Sequence, residues 1–315
     1  MKVLITGATG FIGSELTRRL VEEGKDEIGV IVRTASSKDH MYAISDFASR
    51  IQIYHANFTD WHAIKKAISD FSPNYIIHIG ARTEVRHSFE NPHEFNETNY
   101  LGTINLIHAA LQVPDFKKFI FASSMEVYGY QPEKKPFKEK LPLHPGSPYS
   151  VSKAACEYYI EMAGKIYGLP YLISRACNTY GRRYNAGYIV EYIITSMIAG
   201  KDVYLGTPDA IRDLMYVDDH VNAYYTLLRS SVTNQTFNFG TGNQKVVREV
   251  AELIKNKLNF SGKIIEHWPP DYPHRPTAEE YLSVDASKAK KILNWEPKYS
   301  IEEGLDKTIE YWKNK

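Results

Sequence analysis

The chain opens on Lys2-Val3-Leu4-Ile5-Thr6, followed by Gly7-Ala8-Thr9-Gly10-Phe11-Ile12-Gly13 and a helix-patterned run from Ser14 to Glu23. No other stretch restricts the possible folds as much. A short continuous apolar run reads as a buried parallel strand. Glycines at every third position let the backbone turn tightly and approach a pyrophosphate, whose charge the following helix N-terminus favours. Strand, glycine turn and helix in that order form the context that a dinucleotide-binding turn requires. The expected contacts are Gly7, Gly10, Phe11, Ile12 and Gly13. The competing reading is an ordinary strand-to-helix turn.

The downstream pattern extends this start. Strands are expected at Glu27 to Val32, Ile51 to His55, Tyr75 to Ile79, Phe116 to Ala122 and Leu169 to Arg175. Helical runs lie between them, at Trp61 to Phe71, from Asn91-Pro92 to about Val113, and to about Tyr167. Strands alternating with helices through short turns predict an α/β fold: a doubly wound parallel Rossmann sheet with a smaller C-terminal α/β substrate domain. The expected division is 1–175, with 209–240 returning to it, as the cofactor domain, and 176–208 with 241–315 as the substrate domain.

Ligands of such sheets sit at the carboxyl ends of the strands. After the second strand stands Arg33, followed by Thr34-Ala35-Ser36-Ser37. An acidic residue there would bind a ribose 2′-hydroxyl, whereas Arg accommodates a 2′-phosphate. The expected cofactor is therefore NADP, with NAD the alternative; a plain surface Arg at a strand end competes with both. Asn57 and Phe58 are candidates to meet the adenine, and Gly80 and Ala81 allow another close backbone approach. The fifth strand runs into Ser123-Ser124-Met125-Glu126. If this segment stays extended, Ser124 and Glu126 share a face.

Tyr149 and Lys153 stand one turn apart at the start of a helix, so they share its face. A phenol ionises near pH ~10, too late for a base at neutral pH. A neighbouring ammonium favours the phenolate. The pair can thus make an acid/base of tyrosine.

Composition removes other classes. The 315 residues carry a formal charge of +1 with no block of like charge, so neither nucleic acid nor an anionic membrane is the expected partner. Two cysteines make no disulfide scaffold and fit a reducing, cytoplasmic setting. No signal peptide is expected, no apolar run reaches membrane-spanning length, and no Cys/His cluster has metal spacing. His78, His87 and His220 are read as structural or exposed.

Gly7-x-x-Gly10-x-x-Gly13, Ser124 and Tyr149-x-x-x-Lys153 together resemble the extended short-chain dehydrogenase/reductases that act on nucleotide sugars, and the resemblance spans essentially the whole chain. Val32 to Ser37, His87 to Pro92, Ser124-Met125-Glu126, Arg275-Pro276-Thr277 and Ser287 to Lys290 look closest to GDP-mannose 4,6-dehydratases. The resemblance implies that Tyr149 takes the O4 proton while C4 gives up hydride, that Lys153 lowers the Tyr149 pKa and binds the nicotinamide ribose, and that Ser124 hydrogen-bonds O4. It implies Glu126 as the base at C5, Asn178 and Arg212 as substrate contacts, Arg275 on the diphosphate, and a homodimer built on the helices of Asn99 and Tyr149. Met125 departs from the pattern. dTDP-glucose dehydratases carry an Asp there and GDP-mannose dehydratases a hydroxyl residue, whereas Met donates no proton. A C4 epimerase, a 4-ketosugar reductase and a non-catalytic NADP sensor are the competing functions.

Overall fold

The computed structural model describes residues 1–33, 41–183, 185–269 and 280–315. These fall into two compact units. The first comprises Met1–Gly129, Pro142–Arg175 and Val221–Phe237; the second comprises Tyr130–Leu141, Ala176–His220 and Asn238–Lys315.

The first unit is built on a sheet of order β10-β6-β5-β4-β1-β2-β3. Its strands are β1 (Lys2–Thr6), β2 (Glu27–Val32), β3 (Gln52–His55), β4 (Tyr75–His78), β5 (Lys118–Ala122), β6 (Tyr171–Ala176) and β10 (Gln235–Phe239). β1 pairs in parallel with both β2 and β4, and β2 with β3, β4 with β5 and β5 with β6 are parallel too. Strand order therefore reverses at β1 and β4, the place where such sheets open a ligand crevice. The apolar runs explain the pairing. Leu4, Ile31, Ile76, Phe119, Phe121 and Ile173 are buried in one core with Ile64, Ile68 and Phe71 of the Trp61–Phe71 helix. Each such side chain contributes ~1.5–3 kcal/mol on burial. That helix starts where the Asp60 carboxylate accepts from Ala63 N at 3.0 Å and stops at Ser72, whose backbone is left-handed.

Two sequence expectations need correction here. The helix expected from Asn91 to about Val113 is three segments: α-helix Pro92–Phe95, a π-helical stretch Asn96–Leu101 and α-helix Gly102–Ala110. A further helix, Val85–Glu90, precedes them. A π-bulge accommodates one extra residue per turn, and here it falls at Asn99, whose side chain is tied to neighbouring elements. The segment after β5 is also not extended. Met125–Tyr128 is a 3₁₀ turn, because the Ser124 hydroxyl accepts from Glu126 N at 3.2 Å and caps it.

The second unit holds β7 (Asn178–Tyr180), β9 (Ile211–Tyr216), β11 (Gln244–Val246) and β13 (Tyr281–Leu282), with β9 paired to all three others. β8 (Val203–Tyr204) pairs with β12 (Ile264–Ile265). Helices Ile189–Ile198, Val247–Leu258 and Ile301–Lys313 close its core on Ile193, Ile254 and Leu305. Neither β7 nor β9 forms a continuous apolar run in the sequence. Asp213 hides β9: its carboxylate is buried and accepts from Thr241 N at 3.0 Å and Thr241 Oγ1 at 2.6 Å, so a charged residue sits in an interior strand. Because β9 pairs only within this unit, residues 209–220 group here rather than with the first unit; residues 130–141 do so through Phe137, whose N donates to Ser283 O at 2.9 Å.

Candidate active site

The site is built where β1, β4 and β5 end. Gly7 has φ +75, a left-handed conformation, and a Cβ there would lie 2.6 Å from Gly80 N. The turns after β1 and β4 therefore touch at the point where strand order reverses. Gly10 N donates to Gly7 O at 2.9 Å. A Cβ on Gly13 would lie 2.1 Å from that same oxygen. The turn is closed so tightly that only hydrogen fits, and the helix Phe11–Glu23 starts from it with no side-chain cap. First-turn amide N–H groups of a helix lack intrahelical partners and suit a phosphate. The cradle that a Cβ would fill is what a dinucleotide cofactor needs.

Phe11 and Ile12 begin that helix. Arg33 is exposed just after β2; Thr34 to Ser37 lie outside the described residues. Asn57 is exposed after β3. Phe58 is mostly committed to packing: its ring would meet a Cβ on Gly80 at 2.7 Å, its Cβ would meet one on Gly102 at 2.5 Å, and its ring stands edge-on to His78 at 5.3 Å. Gly80 and Ala81 are half-buried, and Gly80 N donates to Thr6 Oγ1 at 3.1 Å.

His78 is buried in a chain of hydroxyls. Thr6 Oγ1 accepts from Gly80 N, so it donates to His78 Nδ1 at 2.6 Å. Thr103 Oγ1 donates to Asn99 O at 2.5 Å and accepts from His78 Nε2 at 3.0 Å. This assigns the neutral Nε2–H tautomer. Burial, and then the nearby Lys153 charge, hold the imidazole pKa well below 6.5. In the second unit, burial and Arg182 lower the His220 pKa to about 3, and its Nδ1 bonds Thr179 Oγ1 at 2.7 Å. A histidine neutral in the fold binds fewer protons than its unfolded form below pH 6.5. Its stabilisation is complete above that pH and falls as pH drops, by ~1.4 kcal/mol per unit. Between pH 7 and pH 5 the buried His220 is expected to contribute a loss of about 2 kcal/mol, opposed by the carboxyls of Glu191, Asp213 and Asp219, whose pKa values burial raises. In urea titrations His220→Asn is therefore expected to lose about 2 kcal/mol less than the unaltered protein between the two pH values. An identical pH dependence of the two proteins contradicts the burial of His220.

Asn99 joins the loop after β4 to the helix of the acid/base pair. Its Oδ1 accepts from Arg82 N at 2.8 Å, and its Nδ2 donates to Arg82 O and Ser152 Oγ, each at 3.0 Å. The helix Pro148–Tyr167 begins at Ser147, whose side chain accepts from Ser150 N while the Ser150 hydroxyl accepts from Ser147 N; Pro148 fixes the first turn and Gly168 ends it. Tyr149 is thus the second helical residue. It is 7% exposed, with its ring edge-on to Phe95 at 6.4 Å. Lys153, one turn on, is buried. Its Nζ donates to Ala122 O, the last carbonyl of β5, at 2.6 Å, and lies over the Phe121 ring at 4.8 Å. Desolvation lowers its pKa to about 8.

One element, β5, therefore anchors Lys153 at its last carbonyl and delivers Ser124 and Glu126 two and four residues later. Met125 is buried, whereas Glu126 is half-buried. Asn178 and Arg212 belong to the second unit, and Arg275 lies outside the described residues. Asn178 Oδ1 is buried and unbonded among the described residues. Arg212 Nη1 donates to Ile211 O at 2.8 Å. No cluster of His, Cys, Asp or Glu among the described residues could hold a metal, and none of their helices is long and apolar enough to cross a membrane. Both cysteines are buried and free. Sequence reasoning missed the Asn99 junction and the buried pair described below, since both depend on contacts between distant segments.

Residues 4–308 match the family model described as GDP-mannose 4,6 dehydratase. The chain is a member of the extended short-chain dehydrogenase/reductase family of nucleotide-sugar dehydratases and epimerases. Within this family it is 30% identical over 342 residues to a dTDP-glucose 4,6-dehydratase of Escherichia coli, covering 100% of this chain and 94% of that one. A UDP-glucose 4-epimerase of Thermotoga maritima, solved with UDP-glucose, superposes with a TM-score of 0.91 at 31% identity, over 100% of this chain and 99% of that one. A UDP-glucose 4-epimerase of Thermus thermophilus, solved with NAD, gives 0.88 at 29%, over 99% of each. The fold is that of these enzymes.

Proposed function

We propose that the protein is a nucleotide-sugar 4,6-dehydratase of the GDP-mannose type working with NADP. The observation that carries this reading is the pairing of a buried Tyr149–Lys153 acid/base with a carboxylate, Glu126, presented from the turn that follows β5. The cofactor would be held by the turn Gly7–Gly13 together with Gly80 and Ala81, with Asn57, beside the packed Phe58, for the adenine and Arg33 for the 2′-phosphate. The Thermus relative was solved with NAD; Arg33 is what favours NADP in this chain. When bound, the nicotinamide supplies the acceptor and later the donor of hydride.

The chain's own residues handle the protons. Ser124 donates to the sugar O4, and Tyr149, as phenolate beside Lys153, removes the O4 proton. The resulting 4-ketone acidifies C5–H, and Glu126 takes that proton. Glu126 gives a proton to the C6 hydroxyl as it leaves, because buried Met125 can supply none, and, reprotonated from solvent, would protonate C5 as C6 is reduced. Asn178, Arg212 and Arg275 hold the nucleotide portion. The unbonded Asn178 Oδ1 supports a role for that side chain in ligand binding. The apolar Met125 equally favours a second reading, a C4 epimerase, which needs only Ser124, Tyr149 and Lys153.

Glu126→Gln separates the two. It is expected to lower dehydration by ~10²–10⁴-fold while C4 oxidation, followed as reduced-nicotinamide absorbance, continues. Full dehydration by this variant sinks the reading.

We also infer a homodimer through the helices that carry Asn99 and Tyr149, the run Asn96–Leu101 with Gly102–Ala110 and the helix Pro148–Tyr167. Val151, Tyr158 and Ile166 project into solvent from the second of these, and Leu101 does so from the first. Exposed apolar residues on adjoining helices mark an interaction face. Leu101→Glu with Tyr158→Glu is expected to halve the mass seen by light scattering. An unchanged mass removes this interface.

A further inference from the structure

A buried ion pair stands behind the candidate site and takes no part in the chemistry above. Glu157 is one turn beyond Lys153 on the same helix and 1% exposed. Arg175, in β6, is 5% exposed. Arg175 Nε lies 3.0 Å from both Glu157 oxygens, and Nη2 lies 2.5 Å from Oε2. Two further bonds leave the pair. Ser123 Oγ donates to Glu157 Oε1, and Arg175 Nη1 donates to the Tyr128 hydroxyl at 2.9 Å. Tyr128 is fully buried.

Ser123 and Tyr128 are the residues on either side of Ser124–Val127. We propose that the Glu157–Arg175 pair is a positioning device, which clamps both ends of the segment bearing Ser124 and Glu126 to the helix that carries Tyr149 and Lys153. This deepens the dehydratase reading and rests on it for the roles of those four residues. Removing either partner of a buried pair leaves an uncompensated charge, and the pair offsets its desolvation only where its geometry is good and further hydrogen bonds satisfy it. Here the bonds to Ser123 and Tyr128 lead to the segment after β5, and Glu157 itself belongs to the acid/base helix. One carboxylate thereby sets the spacing between the proton acceptor at O4 and the base at C5. A catalytic group misplaced by ~1 Å loses ~10²-fold.

The test uses Tyr128→Phe, which deletes one hydroxyl, and Glu157→Gln, which keeps the shape and removes the charge. Amide hydrogen exchange is followed in the cofactor-free protein. Exchange at residues 123–129 is expected to quicken at least tenfold in both variants, while the Gly7–Gly13 turn keeps its protection. On the turnover of a nucleotide sugar, solvent-deuterium entry at C5 is expected to fall at least tenfold more than reduced-nicotinamide formation. Protection lost evenly over the whole first unit, or not lost at all, overturns the clamp, as does an equal fall in both steps. Absence of C5 exchange in the unaltered enzyme contradicts the dehydratase reading instead, and the amide data then decide the clamp by themselves.

Discussion

Tyr149→Phe is expected to lower turnover about 10³-fold while leaving the protein folded and its cofactor affinity within about twofold, because proton transfer by a placed side chain is worth ~10²–10⁴-fold. The substitution removes one oxygen from a ring that is already packed edge-on to Phe95, so the core is untouched. Lys153 stays on Ala122 O, since that bond does not involve the phenol. Steady-state rates and cofactor titration check the two halves. A variant retaining a tenth of the activity removes Tyr149 from the acid/base role in both the dehydratase and the epimerase readings.

Gly13→Ala is expected to weaken cofactor binding about 100-fold, equivalent to ~2.7 kcal/mol. The new methyl would sit 2.1 Å from Gly7 O and 2.6 Å from Gly7 C, both backbone atoms. No rotamer relieves that, so the turn itself must open and its amides turn away from the phosphates. Gly10→Ala is the control: its Cβ meets Gly7 O at 3.2 Å, which a small shift relieves. Isothermal titration with NADP and NAD gives both affinities. Equal affinities for Gly13→Ala and the unaltered protein mean that the cofactor does not lie on this turn.

The contrast between these residues and the rest explains how much could be read from the sequence. Gly7 and Gly13 are legible because a missing side chain, at fixed spacing after an apolar strand, has few other uses. Tyr149 and Lys153 are legible because helix periodicity alone places them together. Strands β1, β2 and β4 to β6 announce themselves as apolar runs, whereas β9 does not, because it contains the buried Asp213. The 3₁₀ turn after β5 could not be foreseen, since it depends on Ser124 spending its hydroxyl as a cap on Glu126 N. The shared face expected for Ser124 and Glu126 rests on extended backbone, and the 3₁₀ turn removes that argument. The Glu157–Arg175 pair was invisible because the two residues come from different elements, the helix Pro148–Tyr167 and β6. The π-helical stretch at Asn99 likewise follows from bonds to Arg82 and Ser152, not from local propensity.

The central claim is dehydration through C4 oxidation, and the most direct test is the product. The protein is incubated with GDP-mannose, UDP-GlcNAc, UDP-glucose and dTDP-glucose, with NADP and NAD compared, and the sugars are read by mass and proton NMR. The account predicts a product lighter by one water, with a new C6 methyl signal, from GDP-mannose with NADP. Unchanged mass with an inverted H4 coupling contradicts it, making the enzyme an epimerase and leaving Glu126 a structural carboxylate.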